Sequence, residues 1–195
     1  MAVELRKGQK VNLEKKNRSI GQILINLNWS QPVKRGLFSR VHPIDLDLGC
    51  LYELKNGQKG AIQALGNSFG QLNYPPYVTL DGDDRTGTST EGENLRVNGD
   101  MVSQIRRLLV YTFIYEGAAN WAEAKGIVTV KYPGSQDIIV RMDEYGSSQK
   151  MCAIALFENQ NDETFSVEKI VRFYEGHEMM DRAFNWGLRW VAGTK

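Results

Sequence analysis

The run Ile105–Glu116, IRRLLVYTFIYE, constrains the fold more than any other stretch of this chain. From Leu108 onward Leu108, Val110, Thr112 and Ile114 fall on one side, and Leu109, Tyr111, Phe113 and Tyr115 on the other. A period of two with apolar residues on both faces describes a strand covered on both sides. The sheet that holds it therefore needs one layer above it and another below.

Other runs supply half-buried partners. Ile23, Ile25, Leu27 and Trp29 share one face, with Gln22, Asn26 and Asn28 opposite and Leu24 as the exception. In IDLDLGCLYEL, Ile44, Leu46, Leu48, Cys50, Tyr52 and Leu54 alternate with Asp45, Asp47, Gly49 and Glu53. Lys55-Asn56-Gly57-Gln58 follows as a hairpin turn, because Asn-Gly tolerates the positive φ of a tight reversal. Residues 61–65 then return as a strand. Weaker alternation predicts strands over Val3–Asn12, Ile127–Tyr132, Asp137–Met142 and Met151–Glu158, while residues 66–78 read as irregular. A helical turn is expected near 97–103 and a short helix over Asn120–Lys125. Beyond Val167 the alternation of Met180, Arg182, Phe184, Trp186, Leu188 and Trp190 predicts two strands joined near Gly176. About ten strands without a βαβ rhythm point to an all-β fold, a two-sheet antiparallel β-sandwich with a few short helices. At 195 residues, 42% hydrophobic, the chain is read as one domain over 1–195.

Charge and cysteine usage narrow the function classes. The net charge of +1 implies no polyelectrolyte partner, so no nucleic acid is expected. Residues 1–40 carry nine Lys/Arg against two Glu, which reads as a solvated basic face because no aromatics are interleaved with them. Cys50 and Cys152 sit in apolar runs and read as buried thiols. With no Cys-x-x-Cys and no apolar signal core in MAVELRKGQKV, the expected location is the cytoplasm. No apolar run of ~18 residues is present, so no transmembrane segment is expected and any membrane contact is peripheral.

The chemistry concentrates in Asp81–Leu95, DGDDRTGTSTEGENL, read as a surface loop that no buried strand or amphipathic helix could contain. It carries five carboxylates and four hydroxyl side chains in fifteen residues. Calcium takes six to eight oxygen ligands in flexible geometry, which suits scattered acids on a loop. Asp81, Asp83, Asp84, Glu91 and Glu93 are the candidate carboxylates, with Asn94 a neutral oxygen and Asp45 and Asp47 a second acidic pair. The spacing is not that of an EF-hand: counted from Asp81, position five is Arg85 and position twelve is Gly92. GDDRTGT lacks the Lys-Ser/Thr of a phosphate loop, His42 and His177 do not make a zinc set, and no Gly-x-Ser-x-Gly is present. No catalytic residues are therefore assigned. The alternative from another class is a divalent-metal-dependent enzyme acting on a phosphorylated or sugar substrate, for which Asp45-Leu46-Asp47 is a very short motif.

These residues also carry a family resemblance. DLDLGCLYEL (45–54), LDGDDRTGTSTEGENLRVN (80–98) and TFIYEG (112–117), in that order between VELRKGQKVNL and WGLRW, resemble the TerD family of tellurite-resistance and stress-response proteins. The resemblance implies a two-sheet sandwich binding two calcium ions between loops at one end. It also implies cytoplasmic assemblies with other stress-response or resistance proteins at the inner membrane face. Asp45 and Asp47 match the family's first acidic pair, Asp83 its Asp after Gly, Asp84 a position where Asn is commoner, and Thr86-Gly87 its Thr-Gly. Thr88–Asn94 departs from the acid-rich run of the commoner form, with Glu93 and Asn94 standing at the acidic positions. The site expected is thus Asp45, Asp47, Asp83, Asp84, Glu91, Glu93 and Asn94, holding one calcium ion, with a second ion on the full family pattern. The partner is a protein or small molecule met through that loop face.

Overall fold

The two runs with the clearest alternation become the middle strands of two different sheets. In the computed structural model, which describes residues 2–15, 19–31, 44–82, 92–117, 121–142 and 147–191, the strands in chain order are β1 (Val3–Glu4), β2 (Lys10–Asn12), β3 (Gln22–Asn28), β4 (Asp45–Leu54), β5 (Lys59–Ile62), β6 (Gly70–Gln71), β7 (Val78–Leu80), β8 (Glu93–Asn98), β9 (Ile105–Glu116), β10 (Ile127–Lys131), β11 (Ile138–Arg141), β12 (Met151–Gln160) and β13 (Thr164–Tyr174). Two short helices, α1 (Trp121–Ala124) and α2 (His177–Ala183), and 3-10 turns at Leu65–Asn67 and Gly99–Gln104 complete the described elements. One sheet has the order β1-β11-β10-β3-β8-β7-β6 and the other β2-β13-β12-β9-β4-β5. Pairing is antiparallel except between β1 and β11. The expected two-sheet sandwich is the observed fold.

Between the sheets lies one core drawn from Leu5 to Val171, with Ile23, Ile25 and Leu27 of β3 facing Leu46, Leu48 and Cys50 of β4. A second apolar cluster covers the outer face of the six-stranded sheet: Leu51, Leu109, Tyr111, Phe113, Met151, Ala153 and Tyr174 meet Met180 and Trp186 from the C-terminal segment. This is the second cover that the two-faced β9 demanded. It also covers Leu51 of β4, a strand buried along its whole length.

The C-terminal segment corrects one expectation. The alternation from Met180 to Trp190 reads as a strand, yet His177–Ala183 is helical and the chain after it is irregular. The reason is Asp181. Its carboxylate accepts from the Gly187 amide (2.7 Å), the Leu188 amide (3.0 Å) and Trp190 Nε1 (3.1 Å), folding the tail back on the helix. Asn185 (φ 54°) and Gly187 (φ 77°) supply the left-handed turns that reversal needs. A second correction concerns Asp81–Leu95: it is not loop throughout, because Glu93–Leu95 opens β8, with Glu93 and Leu95 buried. At the other end, Val3–Asn12 is not one strand but two, β1 and β2, which join different sheets.

Candidate metal centre

β4 and β8 position the acids that the structure describes. β5 pairs with β4 only over Cys50–Glu53, so the Leu48 amide lies beyond its end. That amide donates instead to Glu93 Oε2 at 2.6 Å. Glu93 reaches it from the opposite sheet, because the alternation of β8 turns Glu93, Leu95 and Val97 inward. Gly92 sets up this approach: its φ of 65° suits glycine, and a Cβ there would strike the Leu27 carbonyl. The result is a bond across the sandwich that brings a carboxylate to the peptide joining Asp47 and Leu48.

Asp45 and Asp47 leave β4 on the face opposite Leu46 and Leu48. Asp47 stands across from Phe113 and Asp45 from Glu116, with a register irregularity between Asp45 and Leu46. Their exposures are 6% for Asp45, 0% for Asp47 and 2% for Glu93, and each of the three has an interaction partner. Asn94 does not accompany Glu93: it lies on the other face of β8, its Oδ1 accepting from Asn26 Nδ2 at 2.9 Å. Asp81 is engaged elsewhere, its two oxygens 2.8 and 2.7 Å from Arg96 Nε. Asp83, Asp84 and Glu91 lie outside the described residues. Among the described residues, no three His, Cys, Asp or Glu side chains form a group able to hold a metal.

Sequence reasoning gave no role to the residues beside Asp47. The Tyr111 ring lies over Gly49, where a Cβ would collide with it. Its hydroxyl donates to Gln63 Oε1 at 2.7 Å, and the same oxygen is 3.0 Å from His177 Nε2. Burial raises the Tyr111 phenol, and the neighbouring Cys50 and Asp47 add to that. The apolar outer face of β9 signalled a cover; no local pattern could name His177 as part of it.

Burial pushes the His177 imidazole down from 6.5 to about 4. The unfolded chain therefore takes up the proton first. Stability from this group is full above pH 6.5 and falls as pH drops from there toward 4, by on the order of 2–3 kcal/mol. Urea melts in chelator at pH 7, 5 and 4 are expected to show this slope, and His177→Phe to remove it; equal slopes would mean that His177 is not held neutral.

Comparison with known proteins bears directly on this frame. Residues 1–133, which include β4, β8 and the acidic segment between β7 and β8, match the TerD domain. The chain belongs to the TerD domain family. The tellurium resistance protein TerA of an Alcaligenes species is 43% identical over 185 residues, 92% of this chain and 54% of that protein. The chain thus spans about half the length of this TerD-family relative. A solved homologue of telluride resistance protein (TerD) from Streptomyces coelicolor has a TM-score of 0.60 at 15% identity, covering 83% of this chain and 95% of that one. A second solved structure, of a protein of unknown function, gives a TM-score of 0.60 at 13% identity over 83% and 94% of the two chains. Both share the fold of this TerD domain. β11–β13 and α2 follow the matched segment, yet β11 joins one sheet and β12 and β13 the other.

Proposed function

We propose that this chain is a calcium-binding module of tellurium and toxic-agent resistance, acting in the cytoplasm as a non-enzymatic binding or scaffold protein for other resistance proteins. The observation that carries the reading is the near-complete burial of Asp45, Asp47 and Glu93, with Glu93 bonded across the sheets at the Asp47–Leu48 peptide. Buried carboxylates are costly unless a cation or hydrogen bonds compensate them. The donors are hard oxygens, which suits calcium. Asp45 and Asp47, on one face of β4, would hold the ion with Asp83, Asp84 and Glu91, which lie outside the described residues, while Glu93 braces the Asp47–Leu48 peptide from the other sheet; the ion would supply charge compensation at this end of the sandwich.

The non-enzymatic reading follows from where the acids lie. Among the described residues, three cavities of about 330, 360 and 240 Å³ are lined by other residues, chiefly of the C-terminal segment and the Tyr132 turn. Direct thiol reduction of an oxyanion has no support either, since Cys50 and Cys152 are buried and free and burial pushes both thiols far up. Among the described residues no helix is long and apolar enough to cross a membrane, so contact with the inner membrane face would be peripheral.

Isothermal calorimetry of the chelator-treated chain with calcium chloride and with magnesium chloride tests the reading. Calcium is expected to bind at one ion per chain and magnesium far more weakly. Absence of calcium heat, or preference for magnesium, would overturn it.

A further inference from the structure

β2 ends the six-stranded sheet, and among the described residues no strand pairs with its outer edge. The bonds on its inner side show which backbone groups that edge offers. The Leu13 amide donates to the Phe165 carbonyl at 2.8 Å, and the Gln9 carbonyl accepts from the Lys169 amide at 3.1 Å. Odd positions thus face β13, and Lys10, Asn12 and Glu14 turn their N–H and C=O groups outward. Of these, the Glu14 amide meets Tyr132 Oη at 3.3 Å. The side chains of the same three residues share one face of the sheet. There Lys10 Nζ lies 2.9 Å from Glu168 and 3.3 Å from Glu158, with 52% of its side chain still exposed. Asn12 and Glu14 are exposed as well, while Val11 and Leu13 belong to the core layer.

Laid antiparallel on itself about Asn12, the segment KVNLE (10–14) is complementary at every position: Asn12 meets Asn12, Lys10 meets Glu14 and Val11 meets Leu13. We propose that β2 is the edge through which two copies of this chain associate, pairing antiparallel about a two-fold axis at Asn12 and joining their six-stranded sheets into one. The bonding pattern agrees with the charge pattern. Because Asn12 faces outward, the Asn12 pair exchanges both of its N–H···O=C bonds, and each Lys10 amide donates to the Glu14 carbonyl of the other copy. These bonds leave the Glu14 amide on Tyr132. Symmetry makes the Lys10–Glu14 ion pair twice, once on each side of the axis. A lysine on an edge strand ordinarily discourages pairing, and only this register answers it with a carboxylate. A slip of two residues sets Lys10 or Glu14 against Asn12, and a slip of one opposes an inward side chain to an outward one. The contact is small, which makes the dimer weak and concentration-dependent. It uses none of the acids of the calcium reading and stands apart from it.

Sedimentation equilibrium of the full chain in chelator tests this. The mean mass is expected to rise from that of one chain toward twice that value between about 10 µM and about 1 mM, the range of a weak, small contact. Asn12→Pro replaces an outward N–H that the pairing needs and should leave the single-chain mass throughout. Glu14→Lys sets Lys10 against a lysine, and Lys10→Glu sets Glu14 against a glutamate; each alone is expected to weaken association about tenfold. An equimolar mixture of those two variants should regain it, because the mixed pair has opposite charges at both positions. Urea melts on each variant establish that it is folded. Lys10→Glu also loses its bonds to Glu158 and Glu168, so if it does not fold, Asn12→Pro and Glu14→Lys decide. A chain that stays monomeric over this range, or a dimer unmoved by Asn12→Pro and Glu14→Lys, overturns the inference and leaves the calcium reading standing.

Discussion

Arg107→Ala is expected to destabilise the fold by about 3–5 kcal/mol, the usual result of removing one partner from a buried ion pair. The Glu53 side chain is 4% exposed, with Arg107 Nε at 2.6 Å, Arg106 Nη1 at 3.0 Å and Lys59 Nζ at 3.8 Å. Arg106 is largely exposed and Lys59 is distant, so neither replaces Arg107. The guanidinium also donates to the Phe184 carbonyl at 2.9 Å and the Asn185 carbonyl at 3.1 Å, and lies 3.9 Å over the Trp186 ring. Its loss frees the tail and leaves Glu53 with the exposed Arg106 and the longer Lys59 contact alone among the cations named. Burial pushes the Glu53 carboxyl up, but the Arg107 hydrogen bond and the charges of Arg107, Lys59 and Arg106 outweigh it and hold the group below its ordinary 4.5. The stability this gives is present above pH 4.5 and is lost as pH falls through the lower folded-state value. In Arg107→Ala burial wins, so acid sensitivity should begin at higher pH. Urea melts at pH 7 and pH 4 on both proteins check the loss and its pH dependence. Glu53→Gln in the Arg107→Ala background should recover part of the loss; a double variant no better than the single one would place the cost in the tail contacts alone.

The sequence-level reading succeeded where one residue's neighbours determine its face. β3 alternates apart from Leu24 and β9 is apolar on both faces, and both lie mid-sheet. The hairpin at Asn56-Gly57 is equally local. It failed where a distant partner decides. Glu93 occupies an inward position of β8 that composition would give to an apolar residue, and a bond from the Leu48 amide, forty-five positions away, helps to make it tolerable. The tail misled for the same reason: its alternation from Met180 to Trp190 is real, but the Asp181 carboxylate gathers three donors and bends the chain before a strand can form. Of the candidate site, Asp45 and Asp47 were legible as a pair from their spacing on one strand face. That the outer face of their sheet carries a cover was not, because the covering residues come from beyond position 175. Asn94 was grouped with Glu93 by adjacency, whereas adjacent residues of a strand face opposite ways.

Asp45→Asn with Asp47→Asn is expected to abolish the stabilisation that calcium gives. Residues two apart on a strand are about 6–7 Å apart, and like charges at that separation repel by about 2–3 kcal/mol at an effective dielectric of about 20. In chelator the double variant loses that repulsion together with the interactions the two acids make, so the readout is the response to calcium. Calcium at ~100 times Kd should raise the parent's unfolding free energy by ~2.7 kcal/mol and leave the variant unmoved. Calcium should thus shift the parent's melting curve alone. Either carboxylate alone is a weaker test, because the remaining acid still offers oxygens to the ion. Full calcium stabilisation of the double variant would mean that the ion sits elsewhere. A parent whose melting is indifferent to both calcium and chelator would mean that the burial of these acids serves the fold alone, with Glu93 acting as a hydrogen-bond bridge between the sheets.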